Sequence, residues 1–243
     1  MNTLWQAMMS NAQKRGPAPC VTWHGGLGRI ELSVTTYVNA LSKAGNFLVE
    51  GLMLDESSSV RVELGTHWQS SVWLGALMVA GIQVTDSADA DVTIATKNWC
   101  EDWTEDPERL AVVTRDPFGM PDRDLDEKFV NASAQVRMFG DYFSPSWPVD
   151  AQDVAIKSVD ASHTWEQLAE LADRVGSLNG ISNGARYGIQ GLGSLEEHIA
   201  LQVLLPLQHN CSTVLIDTDF NGDGLSLVKD EQISQIIRLS AAH

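Results

Sequence analysis

The amino-acid sequence predicts an α/β fold in which two similar, mainly parallel βα modules pack together. One plan of helix, strand, polar turn, helix and strand occurs twice, over residues 31–86 and again over residues 164–217. Strands alternate with helices along the chain, which is typical of a parallel sheet. In addition, 44% of the 243 residues are hydrophobic, so the chain has enough apolar material for a sizeable core.

The first copy opens with an amphipathic helix. Its apolar face is formed, at helical spacing, by Tyr37, Val38, Leu41, Ala44 and Leu48. The pattern then predicts a strand over residues 60–64, a second helix over residues 67–80 and a returning strand over residues 82–85. Thr66 and Gln69 have the spacing of a capping box, so we expect them to begin the second helix.

The second copy repeats this order. The apolar face of its first helix is formed by Trp165, Leu168, Leu171, Ala172 and Val175. A weak strand over residues 186–190, a helix over residues 195–207 and a strongly apolar strand over residues 213–216 follow. Ser194 and Glu197 again have capping-box spacing. The shared order indicates a duplicated unit.

Further elements lie outside the two copies. Residues 1–10 carry apolar side chains on one side and predict a short helix that covers the sheet. Residues 91–95 and 110–115 read as strands, and residues 101–109 as an acidic helix or turn.

Residues 144–150 contain two prolines and read as a linker. We therefore predict a first α/β module with the N-terminal helix over residues 1–149 and a second α/β module over residues 150–243.

The charge of the chain excludes one class of partner. Only 16 Lys and Arg face 32 Asp and Glu, which gives a formal net charge of -16. Binding to a polyphosphate backbone depends on clustered cations, and the sequence has none. We therefore expect no nucleic-acid partner.

The cysteines and the apolar runs suggest a compartment. Cys20, Cys100 and Cys211 are odd in number and far apart, so neither a disulfide framework nor a zinc site is indicated. The longest apolar run, residues 72–84, is shorter than the roughly 20 residues of a membrane helix, and residues 1–10 lack the pattern of a signal peptide. We expect a cytoplasmic protein that does not enter a membrane.

The two strand-to-helix turns are the candidate ligand sites. In a parallel α/β sheet such turns lie at the carboxyl ends of strands, where ligands usually bind. His67 and Trp68 would stack on a planar ligand, or they are half-buried aromatic residues beside a helix cap. Gly191 and Gly193 form a GxG turn, although the glutamates that follow it would repel a phosphate and favour structural capping. His163 completes the predicted ligand-binding set.

The other motifs do not indicate a binding or catalytic site. Residues 217–223 resemble the opening of a calcium loop, but Val228 replaces the glutamate at its twelfth position, so we expect an acidic exposed turn. Residues 23–28 are rich in glycine and predict a flexible loop or hairpin turn. The six histidines, with His198 as a structural core residue and His243 at the end, show no metal spacing. We predict no catalytic residue, metal or cofactor.

Read in order, the two modules resemble the amino-terminal half of the adenylate-forming superfamily, which includes acyl-coenzyme A synthetases, peptide-synthetase adenylation domains and luciferases. Residues 40–84 are similar to the opening module of that family, with Gly65 and Thr66 in place of its Pro-Asn turn. Residues 166–217, with the run Leu-Leu-Pro-Leu over residues 204–207, are similar to the second module. Residues 229–236 match the helix that follows there. Half-length relatives of acyl-coenzyme A synthetases fit better still.

This sequence differs from the family in the segments that bind ATP and carry out catalysis. The resemblance implies that residues 156–165 replace the glycine-rich loop that holds the phosphates of ATP, yet this stretch has no glycine, and Lys157 comes too early. Asp160 adds the wrong charge. Residues 191–194 replace the family's aromatic-histidine turn, and the sequence ends before the adenine-binding motif and the catalytic domain. We expect that one copy of this chain builds no complete adenylation site.

Three hypotheses follow from different classes of function. The first is a non-catalytic interaction or scaffolding protein with an unknown protein partner. The second is a small-molecule binder for a nucleotide, acyl or coenzyme A-like ligand in the cleft between the modules. The third is an enzyme of another kind, such as a degenerate ligase. An unpaired sheet edge or apolar face would also allow a homodimer.

Overall fold

A computed structural model describes residues 3–240 and shows a mixed α/β fold with two sheets. The predicted fold class is confirmed. Met1, Asn2 and the last three residues, His243 among them, lie outside the described residues. The predicted helix at the amino terminus is α1 (Thr3–Arg15), which continues beyond its expected end at residue 10. None of the described helices is long and apolar enough to cross a membrane.

The first sheet has five strands. In spatial order these are β12 (Ile236–Leu239), β10 (Arg186–Gly191), β11 (Ser212–Ile216), β1 (Pro19–Gly25) and β2 (Gly28–Ser33). All neighbours are parallel except β1 and β2, which form a hairpin. The glycine-rich segment over residues 23–28 is therefore a hairpin turn, one of its two predicted forms, and the strand that leads into it was not predicted.

The second sheet has seven strands. In spatial order these are β7 (Val130–Asn131), β6 (Leu110–Val112), β5 (Val92–Ala95), β3 (Ser59–Glu63), β4 (Gln83–Thr85), β8 (Val154–Lys157) and β9 (Ser162–Thr164). Only β8 and β9 are antiparallel. The predicted strands over residues 60–64, 82–85 and 91–95 are thereby confirmed within a residue or two of their ends, whereas that over residues 110–115 is shorter than expected.

The two sheets confirm the duplication in their topology. The order β5-β3-β4 in one sheet corresponds to β12-β10-β11 in the other, and each third strand is followed by a parallel strand of a hairpin. The hairpins are exchanged. Strands β1 and β2 lie near the start of the first module but join the sheet of the second, whereas β8 and β9 lie at the start of the second module and join the sheet of the first. The boundary between residues 149 and 150 stays a prediction about chain order, because both sheets cross it.

The helices pack mainly between and around these sheets. Their ranges are α2 (Val34–Asn46), α3 (Trp68–Ala80), α4 (Ala132–Gln135), α5 (Leu168–Leu178), α6 (Leu195–Ile199), α7 (Leu205–Gln208) and α8 (Gly224–Asp230). Helices α6 and α7 are joined by a π-helical stretch, Ala200–Leu204, so that residues 195–208 form one helix. Every residue of α3 except Trp68 is buried, which explains why this helix is apolar on all sides.

A column of polar contacts joins equivalent helices of the two modules. The hydroxyl of Tyr37 on α2 lies 3.0 Å from both the carbonyl oxygen and the hydroxyl of Ser71 on α3. The Ser71 hydroxyl in turn donates to the backbone carbonyl of Gln202, at 2.8 Å. All three residues are buried. Since a buried polar group without a partner is costly, these contacts fix how the two modules meet.

The predicted capping box of Thr66 and Gln69 is wrong. Helix α3 is capped by His67, whose ring accepts a hydrogen bond from the Gln69 N–H at 3.3 Å. Thr66 does not form the predicted capping box, because its hydroxyl donates to the carbonyl of Gly191 at 3.0 Å and so joins the two modules. By contrast, Ser194 and Glu197 do form a capping box at the start of α6.

The predicted helix over residues 229–236 is also wrong. Helix α8 ends at Asp230, and Gln232 then adopts a φ of 53°, which a continuing helix does not allow. The predicted exposed turn over residues 217–223 begins with a buried residue, since Asp217 is only 3% exposed. Its carboxylate accepts hydrogen bonds from the Trp23 indole, at 3.0 Å, and from Arg115. Residues 101–109 form turns and one short 3₁₀ helix, Pro107–Arg109.

Candidate functional site

The candidate site is a cleft of about 360 Å³ between the two modules. Its floor is formed by the carboxyl ends of β3 and β4, and its opposite wall by the turn and first helical residues after β10. A third side is the loop that joins β8 to β9, residues 158–161. This is the position that the strand-end rule predicts for a ligand in a parallel sheet.

The structure brings one of the five predicted site residues, Gly193, to the lining of this cleft. Gly191 lies two residues before Gly193 but outside the lining; its φ is 97°, and its carbonyl accepts the hydrogen bond from Thr66. His163 lies on β9 opposite Ile156, and its Nε2 atom is buried without a hydrogen-bond partner in the described part of the chain.

The last two predicted residues also lie outside the cleft lining. His67 is 1% exposed and makes an edge-to-face contact with Trp23, with the ring centroids 4.8 Å apart. Trp68 lies in a separate groove beside Phe118 and Gly119. A role of these residues in ligand binding stays a prediction. To reach the His67 ring, a ligand would have to displace Trp23 from it.

The electrostatics of the cleft are dominated by carboxylates. Glu63, Asp86, Asp160 and Glu196 line it, whereas its one cationic lining residue among the described residues, Arg61, is paired with Glu63 at 2.7 Å. Three of these carboxylates are therefore not neutralised within the cleft. Such a lining favours neutral or cationic ligands and opposes phosphate.

The loop between β8 and β9 is held by two of these carboxylates. The Ser158 hydroxyl donates to Glu196, and the Val159 N–H donates to Asp86 at 3.2 Å. The Ser158 N–H is also occupied, because it donates to the Ala161 carbonyl at 2.8 Å. Three donors that a loop of this kind would offer to an anion are thus engaged within the protein.

A chain of polar contacts extends inward from Ser70 and His198, which line the cleft. The Nε2 atom of His198 accepts a hydrogen bond from the Gly193 N–H at 3.1 Å, so the neutral ring carries its proton on Nδ1. Nδ1 lies 2.8 Å from the side-chain amide of Gln202, which must then present its oxygen to the ring and its nitrogen to Ser70. Burial lowers the pKa of His198 to about 4, so the ring is neutral at pH 7. The prediction of a structural histidine fits this position.

Sequence reasoning missed Asp86, Glu196 as a loop partner, and Gln202. Asp86 follows β4 directly, so the strand-end rule that nominated the other turns would also have found it. Gln202 had no such signal, because it is a buried polar residue within the apolar π-helical stretch. No group of three or more His, Cys, Asp or Glu side chains suited to a metal occurs among residues 3–240.

Protonation of His67 gives a first testable prediction. Burial, and then the nearby positive charge of Arg115, lower the pKa of His67 to about 3, below the ordinary histidine value of about 6.5. Between these two pKa values, His67 therefore binds a proton in the unfolded chain but not in the folded chain. We expect the free energy of unfolding to fall as the pH drops below about 6.5, with His198 contributing in the same window.

Urea unfolding of the wild type between about pH 7 and pH 5 would measure this slope, above the range in which carboxylates titrate. The variant His67→Asn keeps a side chain that can cap α3 but does not titrate. Its slope is expected to be clearly shallower than that of the wild type. Equal slopes would show that His67 is protonated in the folded protein as readily as in the unfolded chain.

Comparisons with known proteins identify the fold. No family model matches the chain. Among curated proteins it is similar to a "TIGR03089 family protein" of Mycobacterium tuberculosis, with 32% identity over 124 residues, which are 48% of this chain and 51% of that protein. The chain thus aligns with about half the length of this relative.

Solved structures give broader coverage. The coronafacic acid ligase from Pectobacterium brasiliense matches 97% of this chain with 49% of its own, at a TM-score of 0.71 and 10% identity. The acyl-CoA synthetase from Brucella canis matches 96% of this chain with 47% of its own, at a TM-score of 0.74 and 11% identity. The chain has the fold of the amino-terminal part of adenylate-forming ligases, and the resemblance predicted from its sequence is confirmed at this level.

Proposed function

We propose that this chain is a non-catalytic relative of adenylate-forming enzymes, a pseudoenzyme that acts as an interaction or scaffolding module. The observation that carries the proposal is the loop over residues 158–161. The resemblance implies that this loop corresponds to the one with which the ligases hold the phosphates of ATP. Here its Ser158 hydroxyl and Val159 N–H already donate to Glu196 and Asp86.

The physical consequence is a poor phosphate site. A phosphate loop works because several free N–H groups converge on the anion and glycines let the backbone approach closely. In this loop the nearest donors are engaged, no glycine is present, and Asp160 adds a further negative charge at the cleft. A nucleotide would have to displace two carboxylates and remain beside them, which Coulomb repulsion opposes.

Exposed apolar side chains support the interaction role. Phe118 and Met138 are each 79% exposed, and Tyr142 is 65% exposed. Phe118 borders the groove of about 170 Å³ that contains Trp68, between α2 and α3. Exposed apolar patches of this kind are common at protein–protein contacts. The proposed partner is another protein or a second copy of the chain, which sedimentation at increasing concentration would distinguish.

The alternative function is small-molecule binding in the cleft. Its volume of about 360 Å³ lies in the range of ligand sites, and Leu74, Leu192 and Leu195 give it apolar walls. Of the nucleotide, acyl and coenzyme A-like ligands considered, the carboxylates favour an acyl group without phosphate.

The proposed compartment remains the cytoplasm. Cys20, Cys100 and Cys211 are free, and burial raises the pKa of Cys20 to about 12, so that its thiol is unreactive. Free thiols are compatible with a reducing environment.

The proposal predicts that the purified chain does not adenylate carboxylic acids. Pyrophosphate exchange with a broad panel of acids should remain at background, and ATP, AMP and coenzyme A should not raise the melting temperature. The reason is that the loop offers no free, preorganised hydrogen-bond donors to the phosphates of ATP. Stabilisation of transition-state charge by such donors is usually the largest contribution to catalysis. Robust ATP-dependent turnover would contradict the proposal.

A double variant tests whether the carboxylates of the cleft are the reason why the chain does not bind nucleotides. Asp86→Asn with Glu196→Gln removes two of the opposing charges but keeps polar side chains of the same size. Weak nucleotide binding in this variant, without binding in the wild type, would support the role of the carboxylates. A shift of the wild type with an acyl ligand, without turnover, would favour the small-molecule alternative.

A further inference from the structure

A second cavity, of about 460 Å³, lies on the seven-stranded sheet away from the cleft wall formed by the second module. Its floor contains Arg61 on β3 and Thr93 on β5, which are neighbours in register. Its cover is the segment after β5, which contributes Trp99, Asp102 and Trp103. We call this cavity the tryptophan pocket. We propose that the tryptophan pocket binds an organic cation whose positive charge is surrounded by methyl or methylene groups.

The two indole rings are held in place. Their centroids are 6.4 Å apart and their planes meet at 49°, so together they form an angled aromatic wall. The Trp103 indole N–H donates to the Asp106 carbonyl at 3.1 Å, and both rings pack against the small apolar cluster around Leu110. Because the rings are already fixed, a ligand would lose little free energy in ordering them.

The pocket already shows the chemistry of cation binding. The guanidinium carbon of Arg61 lies 5.0 Å from the centroid of the Trp99 ring, within the range of a cation–π contact. This internal cation is balanced by Glu63, at 2.7 Å. Arg61 also lines the cleft between the modules, so its side chain separates the two cavities.

The remaining charges favour a cation. Glu105 is balanced by Arg109 at 2.9 Å, whereas Asp102 has no ion-pair partner in the described part of the chain. An incoming cation would compensate Asp102 and place its alkyl groups on the Trp103 side of the wall. An anion would face this carboxylate on a protein whose formal charge is -16. Aromatic walls with a nearby carboxylate are well suited to quaternary and alkylated ammonium groups.

Choline and its uncharged carbon isostere, dimethylbutanol, provide a matched pair of probes. They have nearly the same shape and differ in charge, so titration calorimetry with tryptophan fluorescence separates cation recognition from apolar burial. We expect choline to bind about tenfold more tightly than the isostere. Asp102→Asn should weaken choline binding several-fold, whereas Glu170→Gln, which neutralises an exposed carboxylate on α5, should leave it unchanged.

Substitutions of Trp103 test the aromatic wall. Trp103→Leu is expected to weaken choline binding about tenfold, and Trp103→Phe, which keeps an aromatic face, should retain most of it. Circular dichroism and melting temperature establish that each variant is folded. The proposal is overturned if the wild type does not bind choline, if the isostere binds as well as choline, or if a folded Trp103→Leu variant binds like the wild type.

Discussion

Replacing Glu231 by alanine is expected to lower the free energy of unfolding by about 3 kcal/mol, because it removes the buried carboxylate from a network of charged side chains. Glu231 is 7% exposed and follows α8. Its carboxylate accepts hydrogen bonds from Arg29 at 2.6 Å and from Arg186 at 2.5 Å, and lies 2.8 Å from His24. The network therefore joins the exchanged hairpin to β10. Without this carboxylate, the two guanidinium groups would share Glu31 alone, which lies 2.5 Å from Arg29 and 3.5 Å from Arg186 and is more exposed.

Chemical denaturation at neutral pH measures this loss. Asp230→Ala serves as the control, because Asp230 is the adjacent acid but is exposed. Its effect should stay within about 0.5 kcal/mol. A loss for Glu231→Ala as small as that of the control would show that the network contributes no net stability, as happens for many exposed ion pairs.

The same residue predicts behaviour in acid. Burial acts to raise the pKa of Glu231, but hydrogen bonds from Arg29, His24 and Arg186 outweigh it and lower the pKa to about 2. The folded-state pKa thus lies below the unfolded value of about 4.3. The stabilisation is present above this unfolded value and is lost as the pH falls towards 2, a range that overlaps only the acidic end of the His67 range, which extends from about pH 6.5 to about pH 3.

Local patterns predicted most elements of this fold but not how they pair. The strand over residues 59–63 was recognisable because valine alternates with charged residues, and that over residues 212–216 because apolar residues follow one another in a short run. The first strand of the hairpin at Gly26 was not, since its partner β11 lies almost 200 residues later in the chain. The hairpin exchange is a property of these long-range pairings, which no local periodicity records.

In the candidate site, too, local features were predictable from the sequence and long-range contacts were not. The strand-end rule placed the turns at 65–69 and 191–194 correctly, because the carboxyl ends of parallel strands converge. The role of Thr66 was mistaken because spacing alone favours a cap, whereas its hydroxyl reaches a carbonyl 125 residues away. His67 was predicted as a ligand contact from its position, but the hairpin that brings Trp23 against its ring could not be foreseen.

Gly191→Ala is expected to produce the largest loss of stability, about 4 kcal/mol or failure to fold. Gly191 was predicted as a ligand-binding residue, but its backbone has a φ of 97°, which a residue with a Cβ atom rarely adopts. An added Cβ would also collide with the backbone carbonyl of Leu239, the partner of Gly191 between β10 and β12. Neither the strand pair nor the bond from Thr66 allows the backbone to move away freely.

Gly184→Ala is the matched control that separates the conformational cost of a positive φ from the cost of the collision with Leu239. Gly184 also has a positive φ, of 77°, but an added Cβ would meet no heavy atom within 4 Å. This control should show only the conformational cost of a Cβ atom at positive φ, about 1 kcal/mol. Thermal and urea unfolding of both variants therefore measures the collision with Leu239 by difference. If Gly191→Ala were as stable as Gly184→Ala and lost only the binding of a cleft ligand, the glycine would be required for that ligand and not for the strand pair.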